Sequence, residues 1–366
     1  MKKTVSSAMG TEAFNIRAMV DGKGNIILDE GAAIPKPNSD QVLLKMAYIG
    51  ICGSDLKYWK YGKCGKFDMG GTKMVIGHEG SGIVEAVGDK VTCLQKGDRV
   101  AIEPGIPCRL CHFCKEGRYN LCPEIKFCAT PPVDGNLCQY FIHDADFCFK
   151  LPANVSLEEG ALVEPLAVAI YSCERAKLKL GHKVFIAGAG PVGILTLKVC
   201  KLMGAAMIVL TDINDYKLQT AQQHGADGII NVRNMSNEHV KQEVCQLLGG
   251  PADVSFECAG SDATFSQGIM ATVSGGCVVQ VGRGSTHPQL PMLDAMSREV
   301  DIKGIFRYAN CYPRAIKMLA TGAIDVKSLI TTPIFSLEQS QAAFTKADPA
   351  SNNNVMKIMI KCNAMS

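Results

Sequence analysis

Four residues scattered over the first half of the sequence carry side chains that bind zinc well. Cys52 stands in Cys-Gly-Ser-Asp, His78 and Glu79 stand between glycines, and Glu164 precedes a proline. A thiolate, an imidazole and a carboxylate can hold zinc and leave one coordination position open, as a catalytic zinc requires. Asp55 is placed to accept the second ring N–H of the histidine. An alternative stays open at this point: a glycine-rich turn around His78 and Glu79, with Cys52 as core filler.

A dinucleotide-binding fingerprint begins at Gly188, directly after a predicted strand and at the start of a predicted helix. Gly188 permits the tight turn, Gly190 lets a pyrophosphate approach the backbone, and Gly193 allows close helix–strand packing. Asp212 follows 19 positions after Gly193 (212 − 193), where a carboxylate hydrogen-bonds the ribose hydroxyls and repels a 2′-phosphate. The pattern predicts NAD rather than NADP. The alternative is a glycine-rich turn that binds nothing.

A second cluster contains four cysteines, with two, two and seven residues between successive thiols: Cys108, Cys111, Cys114 and Cys122. One loop with this spacing can wrap a tetrahedral ion, and four thiolates leave no vertex open for a substrate. We therefore expect a structural zinc. An iron–sulfur cluster also uses four thiolates, and unrelated buried cysteines are a third interpretation. Cys128 is close enough in sequence to be a further candidate ligand of the same ion.

The elements that must position these groups change in character near Glu164. Residues 14–165 contain short apolar runs separated by Gly, Pro and Asp, which predicts an irregular, mostly antiparallel β-domain of short strands and loops. Beyond it strand-like and helix-like runs alternate, which predicts a doubly wound parallel sheet and an α/β fold. Its six expected strands are Lys183–Ala187, Met207–Thr211, Gly228–Val232, Asp253–Glu257, Cys277–Val281 and Asp301–Ile305.

Helical periodicity is expected between these strands, at Val192–Met203 and Asp215–Gln223 among others. Two more helices (Pro313–Thr321 and Leu337–Asp348) and a last strand (Lys357–Lys361) follow Phe306. Periodicity alone leaves two arrangements open: these elements extend the parallel sheet, or the chain returns to complete the first domain.

Composition narrows the class of protein. A chain of 366 residues is too long for one core of ordinary size, so two domains are expected. The net charge is +3 and the basic residues are dispersed, so no nucleic-acid partner is expected. No apolar run is long enough to span a bilayer, and no membrane partner is expected. Seventeen cysteines in a chain without a predicted signal peptide indicate a cytoplasmic protein whose cysteines are thiols or metal ligands. Residues 1–13 are expected to form a flexible tail.

An open zinc followed by a nicotinamide site is typical of alcohol–carbonyl redox enzymes. With these residues in hand, the chain from Phe14 to Lys361 resembles the zinc-dependent medium-chain dehydrogenase/reductase family, and within it the sorbitol (polyol) dehydrogenases. The stretches that carry the resemblance are Cys52–Asp55 with Tyr58-Trp59, Asp98–Gly105, Gly117–Asn120, Phe127–Pro132, Glu159–Leu166 and Asp301–Tyr308.

The resemblance implies a GroES-like β-rich catalytic domain made of residues 14–165 and 308–366. A doubly wound Rossmann-like domain, residues 166–307, is inserted into it, and the active site lies in the cleft between the two. The implied activity is zinc-dependent oxidation of a polyol's secondary alcohol, of the sorbitol-to-fructose type, by hydride transfer to NAD. The implied assembly is a homotetramer that acts on a small-molecule polyol.

The implied residue roles fall into four sets. The catalytic set is Cys52, Ser54, His78, Glu79 and Glu164. The ligands of a catalytic zinc are Cys52, His78 and Glu79, with Glu164 bound through a water or contacting the substrate. Polyol hydroxyls are held by Tyr58, Glu164, Arg307 and Tyr308. Cofactor contacts are Gly188, Gly190, Val192, Gly193, Asp212, Lys217, Val281, Gly282, Arg283, Ile305, Phe306 and Arg307. With the structural zinc at the four clustered cysteines, two zinc ions per chain are expected.

Three features depart from the family pattern or vary within it. Lys57 stands where a histidine that relays protons is usual, and Arg283 stands where a smaller apolar residue is common beside the nicotinamide. The chain also keeps all four clustered cysteines, most of which vertebrate members lack. Within the same chemistry the substrate alternatives are xylitol, arabinitol, L-threonine or a simple alcohol. A zinc- and NAD-binding sensor without turnover is an alternative of another class, whereas zinc-free quinone reduction predicts loss of the ligand set.

Overall fold

The structure is a computed structural model that describes residues 14–350 and 354–364. The predicted tail at residues 1–13 lies outside the described residues. The strands before residue 151 are short and irregular: β1 (Phe14–Val20), β2 (Ile26–Ala33), β3 (Gln41–Gly50), β4 (Lys63–Cys64), β5 (Phe67–Asp68), β6 (Met74–Val75), β7 (Glu79–Val87), β8 (Arg99–Ile102), β9 (Gly105–Ile106), β10 (Lys126–Phe127), β11 (Tyr140–Asp144) and β12 (Cys148–Lys150).

The later strands are β13 (Lys183–Ala187), β14 (Met207–Asp212), β15 (Gly228–Asn231), β16 (Ala252–Glu257), β17 (Thr272–Gln280), β18 (Asp301–Gly304), β19 (Phe335–Ser336) and β20 (Met359–Lys361). The helices are α1 (Gly53–Tyr61), α2 (His112–Lys115), α3 (Leu157–Ala161), α4 (Val163–Ala176), α5 (Pro191–Leu202), α6 (Asp215–Gln223), α7 (Asn237–Leu248), α8 (Asp262–Ala271), α9 (Met292–Ser297), α10 (Tyr312–Ala320) and α11 (Ser340–Ala347). Single 3₁₀ turns cover Tyr119–Leu121, Ala145–Phe147, Lys327–Leu329 and Leu337–Gln339.

The parallel sheet has the order β15-β14-β13-β16-β17-β18 within the described residues, and all its neighbouring strands run parallel. This order reverses direction between β13 and β16, which is where doubly wound sheets bind their ligands. Its strands are nearly continuous apolar runs because helices cover both faces. The prediction of a doubly wound sheet is confirmed. The ends of the strands agree with the prediction to within one residue, except that β17 begins at Thr272, five residues before the predicted start at Cys277.

The first sheet is built around β3, which pairs antiparallel with β7, β11 and β20. Because β20 pairs with β3, the end of the chain returns to the first sheet rather than extending the parallel one. Strand β20 is shorter than the predicted strand Lys357–Lys361, because Lys357 forms an isolated bridge with Ile330 before β20 begins. The predicted helix at Leu337–Asp348 is divided into a 3₁₀ turn and α11.

Helix α1 is an element that the prediction of short strands and loops before residue 165 missed. The Cys52 backbone N–H donates to Asp55 Oδ2 at 2.9 Å, which closes the first turn, and Gly62 ends the helix in the left-handed region at a φ of 65°. The helix is only nine residues long and its apolar periodicity is weak, so local pattern did not reveal it. It carries Cys52 at its start and presents Tyr58 to the core.

Candidate metal and nucleotide sites

The three predicted metal ligands Cys52, His78 and Glu79 come together in the fold. Cys52 precedes α1, and His78 and Glu79 lie at the start of β7, whose first residue pairs with Gly50 of β3. The donor atoms of the three side chains all lie within 4.8 Å of one another. A Cβ at Gly50 would lie 2.2 Å from Glu79 Oε2, so only glycine there leaves room for the carboxylate. A thiolate, an imidazole and a carboxylate at this spacing fit a zinc ion with an open vertex.

Asp55 lies behind the histidine, as the sequence predicted for a group that orients it. His78 Nδ1 is 3.1 Å from Asp55 Oδ1, although the angle between them falls outside that of a hydrogen bond. Both side chains are buried. Burial opposes a charge on the imidazole, but the Asp55 carboxylate and the Cys52 thiol hold the pKa of His78 well above its usual value. This electrostatic pull favours one ring orientation and leaves the other nitrogen to face Cys52 and Glu79.

Lys357 is a residue of this site that the sequence analysis missed. Its Nζ lies 2.7 and 2.6 Å from the two carboxylate oxygens of Glu79 and 3.1 Å from the carbonyl oxygen of Ile51. Only 4% of the Lys357 side chain and 1% of the Glu79 side chain is exposed. Burial opposes its charge, yet Glu79 raises the pKa of Lys357 above its usual value. The signal in the sequence was a single lysine within the apolar run Val355–Ile360.

Glu164 lies in the first turn of α4 and is buried near this group without joining it: its carboxylate is not among the donors that share the 4.8 Å spacing. Burial, reinforced by the charge of Glu79, raises the pKa of Glu164 to about 7. The hydroxyls of Tyr58 and Tyr308 are also buried and have no hydrogen-bond partner. Burial raises the pKa of Tyr58 to about 12, so its hydroxyl stays protonated. Such orphaned polar groups are usually satisfied by a ligand or water.

A cavity of about 430 Å³ lies near the metal ligands without being lined by them, and its size is within the range of small-molecule sites. Arg307 lines it, with Cζ 3.6 Å from the ring centre of Phe127 and 4.6 Å from that of Phe306. Phe127 in turn lies 5.9 Å from the His78 ring, so this aromatic ring stands between the cavity and the metal site. Arg307 has a φ of 58°, an uncommon conformation for a side-chain-bearing residue that concentrates at functional sites.

The remaining predicted residues on α1 have different surroundings. Ser54 is partly exposed in the first turn of the helix. Lys57 Nζ donates to the backbone carbonyl of Arg283 at 2.7 Å, so it links α1 to the loop after β17. The Arg283 guanidinium reaches back and donates to Cys64 Sγ at 3.3 Å.

The glycine-rich turn has the geometry that its predicted role requires. Gly188 has a φ of 104°, and a Cβ at Gly193 would lie 1.9 Å from the Gly188 carbonyl oxygen. Gly190 precedes the first residue of α5, and a Cβ there would meet nothing within 4 Å, so the helix N-terminus is open. Asp212 ends β14, and its Oδ2 accepts from the Ala189 N–H at 2.9 Å. Phosphates and a ribose fit this arrangement.

Glu257, at the end of β16, is a second residue that the sequence analysis missed. This buried carboxylate accepts from the N–H groups of Ala259 (2.9 Å) and Gly260 (2.6 Å), while its backbone carbonyl accepts from Val281 and Gly282. It fixes the two loops at the carboxyl end of the sheet. The other predicted cofactor contacts occupy the neighbouring element ends: Val192 is in α5, Lys217 is in α6, and Ile305 and Phe306 follow β18.

The four clustered cysteines also converge. The Sγ atoms of Cys108, Cys111, Cys114 and Cys122 lie within 4.8 Å of one another in the segment around α2. Backbone N–H groups of Leu110 and Cys111 lower the pKa of the Cys108 thiol to about 7, which favours a thiolate. The set fits a closed four-thiolate site. Cys128 is not part of it: this thiol is buried beside His78, and burial raises its pKa to about 12.

The comparisons with known proteins agree with this architecture. Residues 191–321 match the family described as zinc-binding dehydrogenase, and residues 38–153 match the alcohol dehydrogenase GroES-like domain. The sorbitol dehydrogenases of Bos taurus and Homo sapiens are each 49% identical over 349 residues, which cover 95% of this chain and 96% of each of those proteins. In the part of the chain that the structure describes, no helix is long and apolar enough to cross a membrane.

Two solved structures from Escherichia coli have the same fold over nearly the whole chain. An oxidoreductase/dehydrogenase of unknown specificity is 37% identical with a TM-score of 0.89, covering 96% of this chain and all of that one. L-idonate 5-dehydrogenase is 31% identical with a TM-score of 0.86, covering 95% of this chain and 98% of that one. The GroES-like and Rossmann-like fold is therefore confirmed, and the chain belongs to the zinc-dependent medium-chain dehydrogenase/reductase family, within which it is similar to the sorbitol dehydrogenases.

Proposed function

We propose that this protein oxidises a secondary alcohol of a polyol to a ketone by hydride transfer to NAD, as in the conversion of sorbitol to fructose. The observation that carries the proposal is the convergence of the donor atoms of Cys52, His78 and Glu79 into one set that fits a zinc ion with an open position. Nearly full-length similarity to sorbitol dehydrogenases supports the same substrate class. The protein is thus an oxidoreductase that uses zinc and a nicotinamide cofactor.

When bound by Cys52, His78 and Glu79, zinc supplies a Lewis acid that lowers the pKa of the substrate hydroxyl. The chain's own residues orient the metal ligands and accept the proton of the substrate hydroxyl. The Asp55 carboxylate attracts the His78 ring electrostatically, and Lys357 hydrogen-bonds both oxygens of the Glu79 carboxylate. Glu164, with its pKa near 7, can take up the hydroxyl proton at its carboxylate near neutral pH.

The substrate loses two hydrogens in balance: the hydroxyl proton goes to the protein and then to solvent, and the carbon-bound hydride goes to NAD. We propose that the free hydroxyls of Tyr58 and Tyr308 and the guanidinium of Arg307 hold the other hydroxyls of the polyol. Each has an unpartnered, buried polar atom, so binding a hydroxylated chain would satisfy groups that otherwise cost free energy.

We propose NAD rather than NADP because the Asp212 carboxylate faces the glycine-rich turn, where it would repel a 2′-phosphate. Asp212→Ala should narrow the preference for NAD over NADP by about ten-fold or more. Ratios of kcat/KM with the two cofactors would measure this, and an unchanged ratio would exclude this role for Asp212.

Several finer features are part of the same proposal. The cysteine cluster would hold a second, structural zinc. The two separate sheets support domain bounds of 14–165 with 308–366, and 166–307. A homotetramer is supported by the exposed apolar side chains Met292, Leu293 and Met296 of α9, close in sequence to the edge strand β18. A cytoplasmic location is supported by the seventeen cysteines, all within the described residues and all free. Metal analysis should give two zinc ions per chain, and light scattering should give four chains per particle.

The test of function is a substrate panel assayed with the zinc-loaded protein and NAD. D-sorbitol, xylitol, ribitol, arabinitol, L-threonine and ethanol would be compared by kcat/KM, and the polyols should lead. Preference for L-threonine or ethanol would change the substrate class. Absence of turnover with both metals bound would instead favour a sensor.

A further inference from the structure

Three cations, Arg307, Lys66 and Arg283, lie at the cavity near the metal site. Arg307 and Lys66 are among the residues that line the cavity, and within the described part of the chain its lining contains no aspartate or glutamate. Arg283 adjoins the same wall, with its Cζ 6.0 Å from the ring centre of Phe306. Lys66 Nζ lies 5.4 Å from the ring centre of Phe67, which stacks on Phe306 at 6.4 Å.

The three cations are not neutralised by the protein. Among the described residues, none of Lys66, Arg283 and Arg307 forms an ion pair with a carboxylate. Arg307 donates to Thr130 Oγ1 at 3.1 Å and Arg283 donates to Cys64 Sγ at 3.3 Å, and neither acceptor is a carboxylate.

Arg307 makes the strongest case for an absent anion. Only 9% of this residue is exposed, and its Nε is buried without a hydrogen-bond partner. A buried guanidinium with an unsatisfied N–H is costly unless a ligand completes it. Burial, together with the nearby charge of Arg283, lowers the pKa of Arg307 to about 10. Glu164 is a carboxyl group whose charge acts on Arg307, but the two side chains form no ion pair in the described part of the chain.

Arg283 and Lys66 are exposed at the rim, so their charge acts on what enters rather than on the folded core. Clefts lined by one sign of charge concentrate ligands of the opposite sign. The Arg283 guanidinium is also held in place, because its backbone carbonyl accepts from Lys57 and its side chain donates to Cys64. A fixed cation is better suited to recognising an anion than a freely rotating one.

We propose that Arg283, with Arg307 and Lys66, forms an anion subsite that selects polyols carrying a phosphate or carboxylate group at the end away from the reacting carbon. This inference rests on the proposed function and names the substrate class within it. The reaction itself is unchanged: the alcohol carbon gives a hydride to NAD, its hydroxyl gives up a proton, and the anionic group takes no part in bond making.

The experiment compares D-sorbitol, D-sorbitol 6-phosphate and D-gluconate as substrates of the zinc-loaded protein at saturating NAD. We expect kcat/KM for at least one anion to exceed that for D-sorbitol by about ten-fold and to fall as ionic strength rises, whereas that for D-sorbitol should not. The two anions distinguish a phosphate from a carboxylate. Inorganic phosphate should inhibit D-sorbitol oxidation competitively.

Variants locate the subsite. Arg283→Leu should lower the ratio of kcat/KM for the preferred anion to that for D-sorbitol by roughly ten-fold, and Lys66→Met by roughly three-fold, because Lys66 is a more mobile surface charge. Arg283→Lys keeps the charge and should keep most of the ratio. Lys90→Met removes an exposed lysine that does not line the cavity, and it should leave the ratio unchanged.

Three outcomes would overturn the subsite. In the first, D-sorbitol is the better substrate and Arg283→Leu does not alter the ratio, while the proposed function stands. In the second, Arg283→Leu raises the KM for NAD with the substrate ratio unchanged, so that Arg283 serves the cofactor. In the third, none of the substrates is oxidised, so the proposed function fails. In addition, calorimetry shows that Arg283→Leu does not weaken the binding of phosphate to the protein. Phosphate binding that Arg283→Leu weakens would support the anion subsite even then.

Discussion

The two candidate metal sites of this protein are assembled in opposite ways. The first site is the segment around α2 that carries Cys108, Cys111, Cys114 and Cys122, named the lobe below. Its four thiols come from one short stretch of chain, and the backbone of that stretch supports them, since the N–H of Cys111 donates to Cys108 Sγ at 3.3 Å. The central site takes three donors from a helix start and a strand, and its carboxylate is held by Lys357 from the far end of the chain. The lobe is partly exposed, whereas His78 and Glu79 are buried.

This contrast separates two uses of a metal. Four thiolates on one loop complete a tetrahedron, so the lobe can stabilise a segment but has no vertex to offer a substrate. Three donors of mixed chemistry, placed by separate elements beside a cavity, leave such a vertex. Substitutions in the lobe should therefore lower the free energy of unfolding, and substitutions in the central site should lower the catalytic activity.

The largest effect is expected from Cys52→Ala. Kcat/KM for the best polyol should fall by about 1,000-fold or more, because the Lewis acid supplies several kcal/mol of transition-state stabilisation. One of two zinc ions should be lost while the thermal unfolding midpoint changes little. Cys93→Ala, which removes an exposed free thiol, is the matched control. Full activity in Cys52→Ala would refute the central site.

Cys111→Ser should produce the reverse pattern. The lobe should lose its zinc and the free energy of unfolding should fall by about 4 kcal/mol, which is the linkage expected for a metal at 1,000 times its Kd. Denaturant titration with and without a chelator would measure this. Activity of the folded fraction should drop far less than in Cys52→Ala. Equal zinc content in Cys111→Ser and the parent would contradict a four-thiolate site.

Lys357→Met tests the long-range support of the central site. Removing one partner of a buried ion pair leaves Glu79 uncompensated, at a cost of roughly 3 kcal/mol in the metal-free protein. The loss should be smaller with zinc bound, because the ion replaces the ammonium as counter-charge. Unfolding midpoints in zinc and in chelator would show the difference. Lys361→Met, at the end of the neighbouring strand β20, should show no such difference.

Glu103 lies between the two regions: it accepts a hydrogen bond from Tyr119 of the lobe segment at 2.7 Å and faces Glu164. Burial raises the pKa of Glu103 from 4.5 to about 7. The folded protein thus keeps a proton that the unfolded chain releases, so this contribution to stability is complete below pH 4.5 and is lost as pH rises through about 7.

Glu103→Gln should abolish that dependence while its amide oxygen still accepts from Tyr119. Relative to the parent, the variant should gain about 2 to 3 kcal/mol between these pH values, measured by denaturant titration. Parallel stability curves for the two proteins would mean that Glu103 ionises normally, and that no buried acid couples the lobe to the centre.

The sequence by itself determined the parts whose physics is local. Glycine spacing and the acid after the next strand predicted the turn at Gly188 and the carboxylate of Asp212, because backbone geometry allows few alternatives there. The four-cysteine lobe was predictable for the same reason. Continuous apolar runs located the six parallel strands, since strands covered on both faces have no polar positions to confuse the pattern.

Tertiary structure alone decided what depends on distant partners. Periodicity did not reveal α1, because a nine-residue helix with a weak apolar face is set by its packing rather than by propensity. Nor did it place Lys357 against Glu79 or Arg283 against Cys64, since these pairs are separated by 278 and 219 residues. Whether a lone charge is solvated, paired or presented to a ligand is fixed by the other chain segments that surround it.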